Sequence, residues 1–195
     1  MTNLEFKEVE NQQKEIFKPN FQAYLEEIDL ASGRPVNPDF QDRFPEYDSF
    51  FTNNPKRRPF QIMMVTDPRS PTTGRVQIGF FFLKLITPQD FPEEIDPIFD
   101  VSTMDIAWLK HFYIYPEHRR KGLAAELYQK IIEFANKPIN KWHLAWECDK
   151  KNDPAVKFCS RIVHHIHEEH EISKQEYIRG DNERKYIFYQ IKFNY

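Results

Sequence analysis

The chain has 195 residues, 40% of them hydrophobic and 15% aromatic, enough to bury one substantial core. Lys and Arg total 27 against 30 Asp and Glu, a formal net charge of -3, so no overall field draws the protein to nucleic acid or an anionic membrane. Cys148 and Cys159 make neither a disulfide framework nor a CxxC metal pair, no run reaches the ~18 apolar residues of a membrane span, and the polar start at Met1 is unlike a signal peptide, so a soluble, unprocessed, cytoplasmic protein is expected.

Leu4, Phe6 and Val9 open a weak strand, and Phe21, Tyr24, Leu25 and Ile28 recur at helical spacing within 17–30. From 31 to 59 four prolines precede Pro59 and alternate with Phe40, Phe44, Tyr47, Phe50 and Phe51, which predicts a short helix and packed loops rather than a linker. Residues 60–65 and 75–86 read as strands joined through the turn formers Asp67, Pro68, Ser70, Pro71 and Gly74, an antiparallel hairpin. A Pro-rich, acidic stretch, 88–103, follows. Residues 108–115 are then apolar and aromatic apart from Lys110 and His111, the pattern of a central strand.

Leu123, Ala124, Leu127, Tyr128, Ile131, Ile132 and Ala135 predict a helix over 122–135, with Pro138 beyond it as a stop. Residues 141–149 read as a strand. Asp153 then serves as N-cap, with Pro154 in the first turn of a helix through Val156, Phe158, Cys159, Ile162 and Val163. Residues 184–193 alternate as a final strand. No internal repeat or domain linker interrupts the order, so one mixed α/β domain over 1–195 is expected.

The chemistry concentrates at 112–124, where a buried strand runs through a polar loop into an amphipathic helix. The first turn of a helix has backbone N–H groups without intrahelical partners and the positive end of the dipole, and Gly122 lets a ligand come close to the main chain. Arg119, Arg120 and Lys121 add positive charge suited to a phosphate-bearing ligand. The order GxxxxGK of a P-loop and the GxGxxG of a dinucleotide fold are both absent.

This segment resembles the GNAT superfamily of acetyl-CoA-dependent N-acetyltransferases. Arg119, Gly122 and Ala124 match its acyl-CoA signature of Arg or Gln, two residues, Gly, one residue, then Gly or Ala. Ile114 with Pro116 matches the Val-x-Pro that ends the family's fourth strand, and Asn152 with Ala155 matches its downstream Asn-x-x-Ala. The resemblance implies an α/β (α+β, mixed-sheet) fold, a single GNAT-like domain whose central, mostly antiparallel sheet is flanked by helices. It also implies acetyl-CoA as cosubstrate. Main-chain groups of Phe112, Tyr113 and Ile114 would bind the pantetheine arm, and those of Arg120, Lys121, Gly122, Leu123, Ala124 and Ala125, beside Arg119, the pyrophosphate. Asn152 would meet the pantetheine again.

The implied reaction moves an acetyl group to a primary amine on a small molecule or a protein. Such a transfer needs a base for the amine and an acid for the departing thiolate. Glu147 matches a position where ribosomal-protein acetyltransferases of the family carry a glutamate base. The family's usual tyrosine acid falls, by count from Asn152, on Cys159, so Cys159 is the candidate acid and equally a small buried hydrophobe. That departure motivates an alternative, an acyl-CoA-binding regulatory module without transferase activity. A homodimer is common in the resembled family.

His164, His165, His167 and His170, with Glu168 and Glu169, follow no metal-ligand spacing and read as a polar helix-to-strand connection, so no metal is expected. His111 and Tyr113 are secondary site candidates on the central strand, with inward packing as the competing account. The aromatic segments 40–51 and 90–99 either flank an acceptor groove or pack against the core.

Overall fold

The computed structural model describes residues 3–52, 54–66, 74–87, 91, 93, 95, 97–98, 105–137, 140–167, 170–179 and 184–193. Its strands are β1 (Asn3–Glu8), β2 (Arg57–Val65), β3 (Arg75–Ile86), β4 (Ile106–Ile114), β5 (His143–Asp149), β6 (Glu171–Arg179) and β7 (Arg184–Lys192). Its helices are α1 (Lys14–Ala31), α2 (Phe40–Arg43), α3 (Leu123–Ala135) and α4 (Asp153–Ile166). The strands form one sheet in the order β1-β2-β3-β4-β5-β7-β6. Only β4 and β5 run parallel, because α3 carries the chain back between them; every other neighbouring pair is antiparallel. The mixed, mostly antiparallel sheet expected from the resemblance is the sheet found.

The period of two along the strands sends side chains to two layers. On one face Phe81, Leu83, Leu109, Leu144 and Trp146 meet Leu127, Tyr128, Ile131 and Ile132 of α3 and Cys159 and Ile162 of α4 in the main core. Each large apolar side chain fully buried there contributes roughly 1.5–3 kcal/mol. On the other face Phe80, Phe82 and Tyr113 pack against Phe17, Phe21 and Tyr24 of α1. Phe40, Phe44, Tyr47, Phe50 and Phe51 join that cluster, so the aromatic segment after α1 packs the core rather than flanking a groove. The short helix and packed loops predicted there are α2 and a 3-10 turn at Tyr47–Phe50.

Several boundaries shift. The cap of α4 is Asn152, not Asp153: its side chain accepts from the Ala155 N–H at 3.2 Å, and Asp153 already lies in the helix. His164 and His165 lie in the last turns of α4 rather than in a connection, and His167 is its C-cap. The strand β6 was not read from the sequence at all. Pro138 and most of 67–73 and 88–104, with Glu168 and Glu169, lie outside the described residues.

Two features of β4 shape the site. Phe82 pairs with His111 and Leu83 with Leu109, so Lys110 is the extra residue of a β-bulge. On the other edge the parallel ladder runs only from Ile106↔His143 to Leu109↔Trp146. Beyond it β4 and β5 part, and the β5-facing edge of Lys110–Ile114 has no strand partner among the described residues.

Candidate active site

A cavity of about 240 Å³ fills the gap where β4 and β5 part. It reaches both layers, since Tyr24 and Arg34 line it from the α1 side and Tyr128, Phe158 and Cys159 from the α3 and α4 side. A larger open groove of about 790 Å³, between residues 8–12 and 50–59, touches none of these groups.

On the α1 side stands Glu147. Alternation along β5 places it opposite Trp146 and Cys148, with Lys110 Nζ 3.6 Å from its carboxylate and the Tyr177 hydroxyl donating to its other oxygen. Lys110 lies 4.4 Å over the Trp108 ring, which fixes the ammonium beside the cavity. The bulge aims Lys110 and His111 there together. His111 Nδ1 hydrogen-bonds the Tyr24 hydroxyl at 3.0 Å, and burial, assisted by the neighbouring Lys110 charge, pushes its pKa down to about 3. The imidazole is neutral, and its Nε2 has no hydrogen-bond partner among the described residues.

On the other side the Tyr128 ring is held edge-on by Trp146 at 5.2 Å, Phe158 at 5.7 Å and Phe112 at 5.8 Å. Cys148 and Cys159 are free, buried thiols. The hydrogen bond Cys148 gives Cys159, and burial, push the Cys148 thiol up, while accepting that bond draws Cys159 down.

The expected cofactor residues are contiguous with this cavity. Phe112 stacks on Phe158 at 5.8 Å with an interplanar angle of 2°. Tyr113 turns the other way and donates to Glu27 at 2.8 Å; burial and that carboxylate push its pKa up to about 12. Arg120 and Gly122 both have left-handed backbones, φ 60° and 75°, which curls the loop into a concave run of N–H groups before α3. A Cβ built on Gly122 would meet nothing within 4 Å, so the space in front of that main chain is open. No side chain caps α3. The side chains of Arg120 and Lys121 are exposed, Leu123 is buried under the helix, and Ala124 and Ala125 continue its first turn.

Arg119 is placed differently from its neighbours. Its guanidinium is bound to Glu27 and to the Ile114 carbonyl, so it braces the loop instead of extending toward a ligand. Asn152 lines the cavity while its side-chain oxygen caps α4.

Sequence reasoning missed Lys110, Tyr128 and Tyr177 as site residues. The lone lysine in an apolar strand was the available signal for Lys110. Tyr128 was legible only as one of the apolar positions of a helix, and Tyr177 lies on the unread β6. Among the described residues no three His, Cys, Asp or Glu side chains come together as a metal site.

Residues 73–163 match the acetyltransferase (GNAT) family. Among curated proteins no sequence match is found. The fold is shared with Arabidopsis thaliana NAA60 in complex with acetyl-CoA, at 13% identity and a TM-score of 0.55, over 96% of this chain and 97% of that one. Spermidine N-acetyltransferase from Vibrio cholerae, in complex with CoA and spermine, aligns at 15% identity and a TM-score of 0.56, over 96% of this chain and 95% of the other. Ribosomal-protein-alanine N-acetyltransferase from Brucella melitensis aligns at 14% and 0.50, over 82% and 90%. Residues 73–163 thus carry the match to the GNAT acetyltransferase family, and the parted parallel strands and the glycine-opened loop both lie within that stretch.

Proposed function

We propose that the protein transfers the acetyl group of acetyl-CoA to a primary amine, borne by a small molecule or a protein, giving an amide and CoA. The observation that carries this reading is the cavity between β4 and β5, open to both layers, with the N–H-rich loop of 120–125 on the same structural junction. Residues 1–195 are read as one domain. The two free cysteines agree with a reducing, cytoplasmic setting. Among the described residues no helix is long and apolar enough to cross a membrane.

Acetyl-CoA supplies the acetyl group as an activated thioester. The unpaired edge of Lys110–Ile114 offers the pantetheine amides the hydrogen bonds that further pairing with β5 would otherwise take, and Asn152 stands beside it. The N–H groups from Arg120 to Ala125 hold the pyrophosphate, favoured by the positive end of α3. Glu147 takes the proton released by the amine nitrogen, and Lys110 and Tyr177 hold its carboxylate in place. The new N–C bond forms as the C–S bond breaks. Much of the rate gain comes from alignment of the two reactants across the sheet.

This fold is shared by a spermidine N-acetyltransferase and by a ribosomal-protein-alanine N-acetyltransferase, so small and protein-borne amines are both in the first panel to test. No observation favours the alternative of a binding module without turnover.

The test is calorimetric titration with acetyl-CoA, followed by a thiol-release assay with spermidine, an alanine-initiated peptide and n-butylamine. Saturable binding that is lost in Gly122→Trp, whose side chain would fill the space before the loop, with CoA release on adding an amine, is the expected result. Folded protein that binds no acetyl-CoA would sink the reading.

A further inference from the structure

The turn that ends α1 delivers an arginine to the cavity. Gly33 takes a left-handed backbone at φ 65°, after which the Arg34 N–H bonds back to the Asp29 carbonyl at 2.7 Å and the Gly33 N–H to that of Leu30 at 3.1 Å. This is the Schellman closure of a helix C-terminus, and it fixes the point from which the Arg34 side chain leaves. The side chain returns to the same residue, with Nε 3.1 Å from the Asp29 carboxylate. Backbone and side chain are anchored together, and Arg34 forms part of the cavity wall with Tyr24 and Ile28.

Asp29 does not satisfy this arginine. Its contact with Nε is between charges only, since the buried Nε has no hydrogen-bond partner among the described residues. The other carboxylate oxygen is held by Arg43 at 2.8 Å, and the Arg43 side chain is only 9% exposed there, against 26% for Arg34. Two guanidiniums share one carboxylate, so one positive charge is left over, and it is the one at the cavity. Burial pushes the Tyr24 phenol up and the Arg34 charge opposes it, which sets the guanidinium near the hydroxyl that bonds His111. The carboxylates lining this side are engaged elsewhere, Glu147 with Lys110 and Tyr177, and Asp149 with the Lys151 N–H at 2.9 Å.

We propose that Arg34 binds a carboxylate of the acceptor, so that the amine acetylated belongs to a small aminocarboxylate and not to a polyamine; this rests on the acetyl-transfer reading above. The acceptor then spans the α1 side of the cavity, its nitrogen at Glu147 and its carboxylate at Arg34. The guanidinium fork matches a carboxylate with two parallel N–H donors. A cavity of about 240 Å³, below the usual range for drug-sized ligands, suits a short acceptor. The acetyl-CoA phosphates are assigned to the main-chain N–H groups before α3, in the other layer, and do not compete for Arg34. A polyamine would instead bring a further cation against Arg34 and Lys110. The carboxylate is untouched by the reaction: the N–C bond forms as the C–S bond breaks, Glu147 takes the amine proton, and the sulfur, keeping the electron pair, takes a proton from solvent to leave as CoA.

The experiment measures kcat/KM at saturating acetyl-CoA for glycine, β-alanine, 4-aminobutyrate and 5-aminopentanoate, each beside its amide, and for 2-aminoethyl phosphate, spermidine and n-butylamine. Wild type should prefer at least one of the acids over its amide by about 30-fold, the scale of a charge-assisted hydrogen bond, and Arg34→Gln should bring that ratio close to unity. A merely structural Arg34 would lower acid and amide alike and leave the ratio where it was. Acids turned over no better than their amides or not at all, a ratio preserved in Arg34→Gln, or preference for spermidine or 2-aminoethyl phosphate over every acid overturns the assignment while leaving acetyl transfer standing. Wild type that binds no acetyl-CoA in calorimetry overturns both. If Arg34→Gln does not fold, Arg34→Lys decides: it keeps the charge and loses the fork, so the ratio falls several-fold, and an unchanged ratio places the carboxylate elsewhere.

Discussion

Arg119 reaches back from the loop before α3 to Glu27 of α1, with one guanidinium nitrogen 2.9 Å from the carboxylate and another bonded to its second oxygen. Its Nε donates to the Ile114 carbonyl at 2.8 Å, and its plane lies 4.9 Å over the Tyr113 ring. The arginine that matches the acyl-CoA signature thus ties the end of β4 and the loop of 120–125 to the opposite layer. Its chemistry is bracing, and a bidentate fork does that better than a lysine.

Glu27→Gln tests the brace without touching the loop. Arg119 holds the Glu27 carboxyl below its usual range, so this pair stabilises the fold above pH 4.5 and the stabilisation is lost as pH falls through the lower folded value. Because the pair is partly solvated, the expected loss at neutral pH is only about 1 kcal/mol. The acetyl-CoA dissociation constant should rise several-fold as the loop loosens. Thermal denaturation and calorimetry read the two effects; unchanged affinity would mean that the loop holds its shape without Arg119.

Glu147→Gln keeps the size of the side chain and removes the base. We expect kcat to fall by about 10²-fold with acetyl-CoA binding preserved. Tyr177→Phe, which removes only one hydrogen bond to the carboxylate, should have the smaller effect of the two. Steady-state kinetics with saturating acetyl-CoA separates them, and an equal kcat in Glu147→Gln would exclude the residue as base.

Gly79→Ala should destabilise the fold strongly. A Cβ there would stand 2.2 Å from the Tyr113 carbonyl oxygen, and backbone has little room to yield. The cost is about 3 kcal/mol, at the upper end for overpacking, and shows as a lowered urea midpoint. The same shift would move β4, so acetyl-CoA affinity should drop in parallel.

His111 makes stability depend on acid. Its folded pKa is about 3 against 6.5 in the unfolded chain, so between those values the unfolded state binds a proton that the folded state refuses. Stability is therefore full above pH 6.5 and declines as pH falls through this window, at a slope approaching about 1.4 kcal/mol per pH unit. In His111→Gln that slope between pH 6 and 4 should flatten, even if the protein is less stable at pH 8. Denaturation midpoints across pH would show it; identical slopes would place the acid sensitivity elsewhere.

The helices α1, α3 and α4, the β2–β3 hairpin and the central place of β4 were legible because each buries a repeating apolar face, and period alone betrays such elements. The strand β6 was not, because it is an edge strand in which, from Glu171 to Ile178, Tyr177 alone is buried; its pairing with β7, a long-range fact, makes it a strand. The cap of α4 went to Asn152 rather than its acidic neighbour because both side-chain types cap equally well and only backbone geometry chooses. The run of histidines after Val163 extended the helix by its place on α4, where a polar surface face is tolerated.

By itself the sequence determined the order of elements, the glycine at the mouth of α3 and the kinship carried by Arg119, Gly122, Ala124 and Asn152, since these depend on local spacing and on which residues tolerate which backbone. Tertiary structure alone decided what those residues do. It turned Arg119 toward Glu27, brought Lys110 and Tyr177 to Glu147 from other strands, and parted β4 from β5 beyond Leu109↔Trp146. The reason is that a side chain's partners and its dielectric surroundings are set by neighbours far away in the chain, and these control where protons sit.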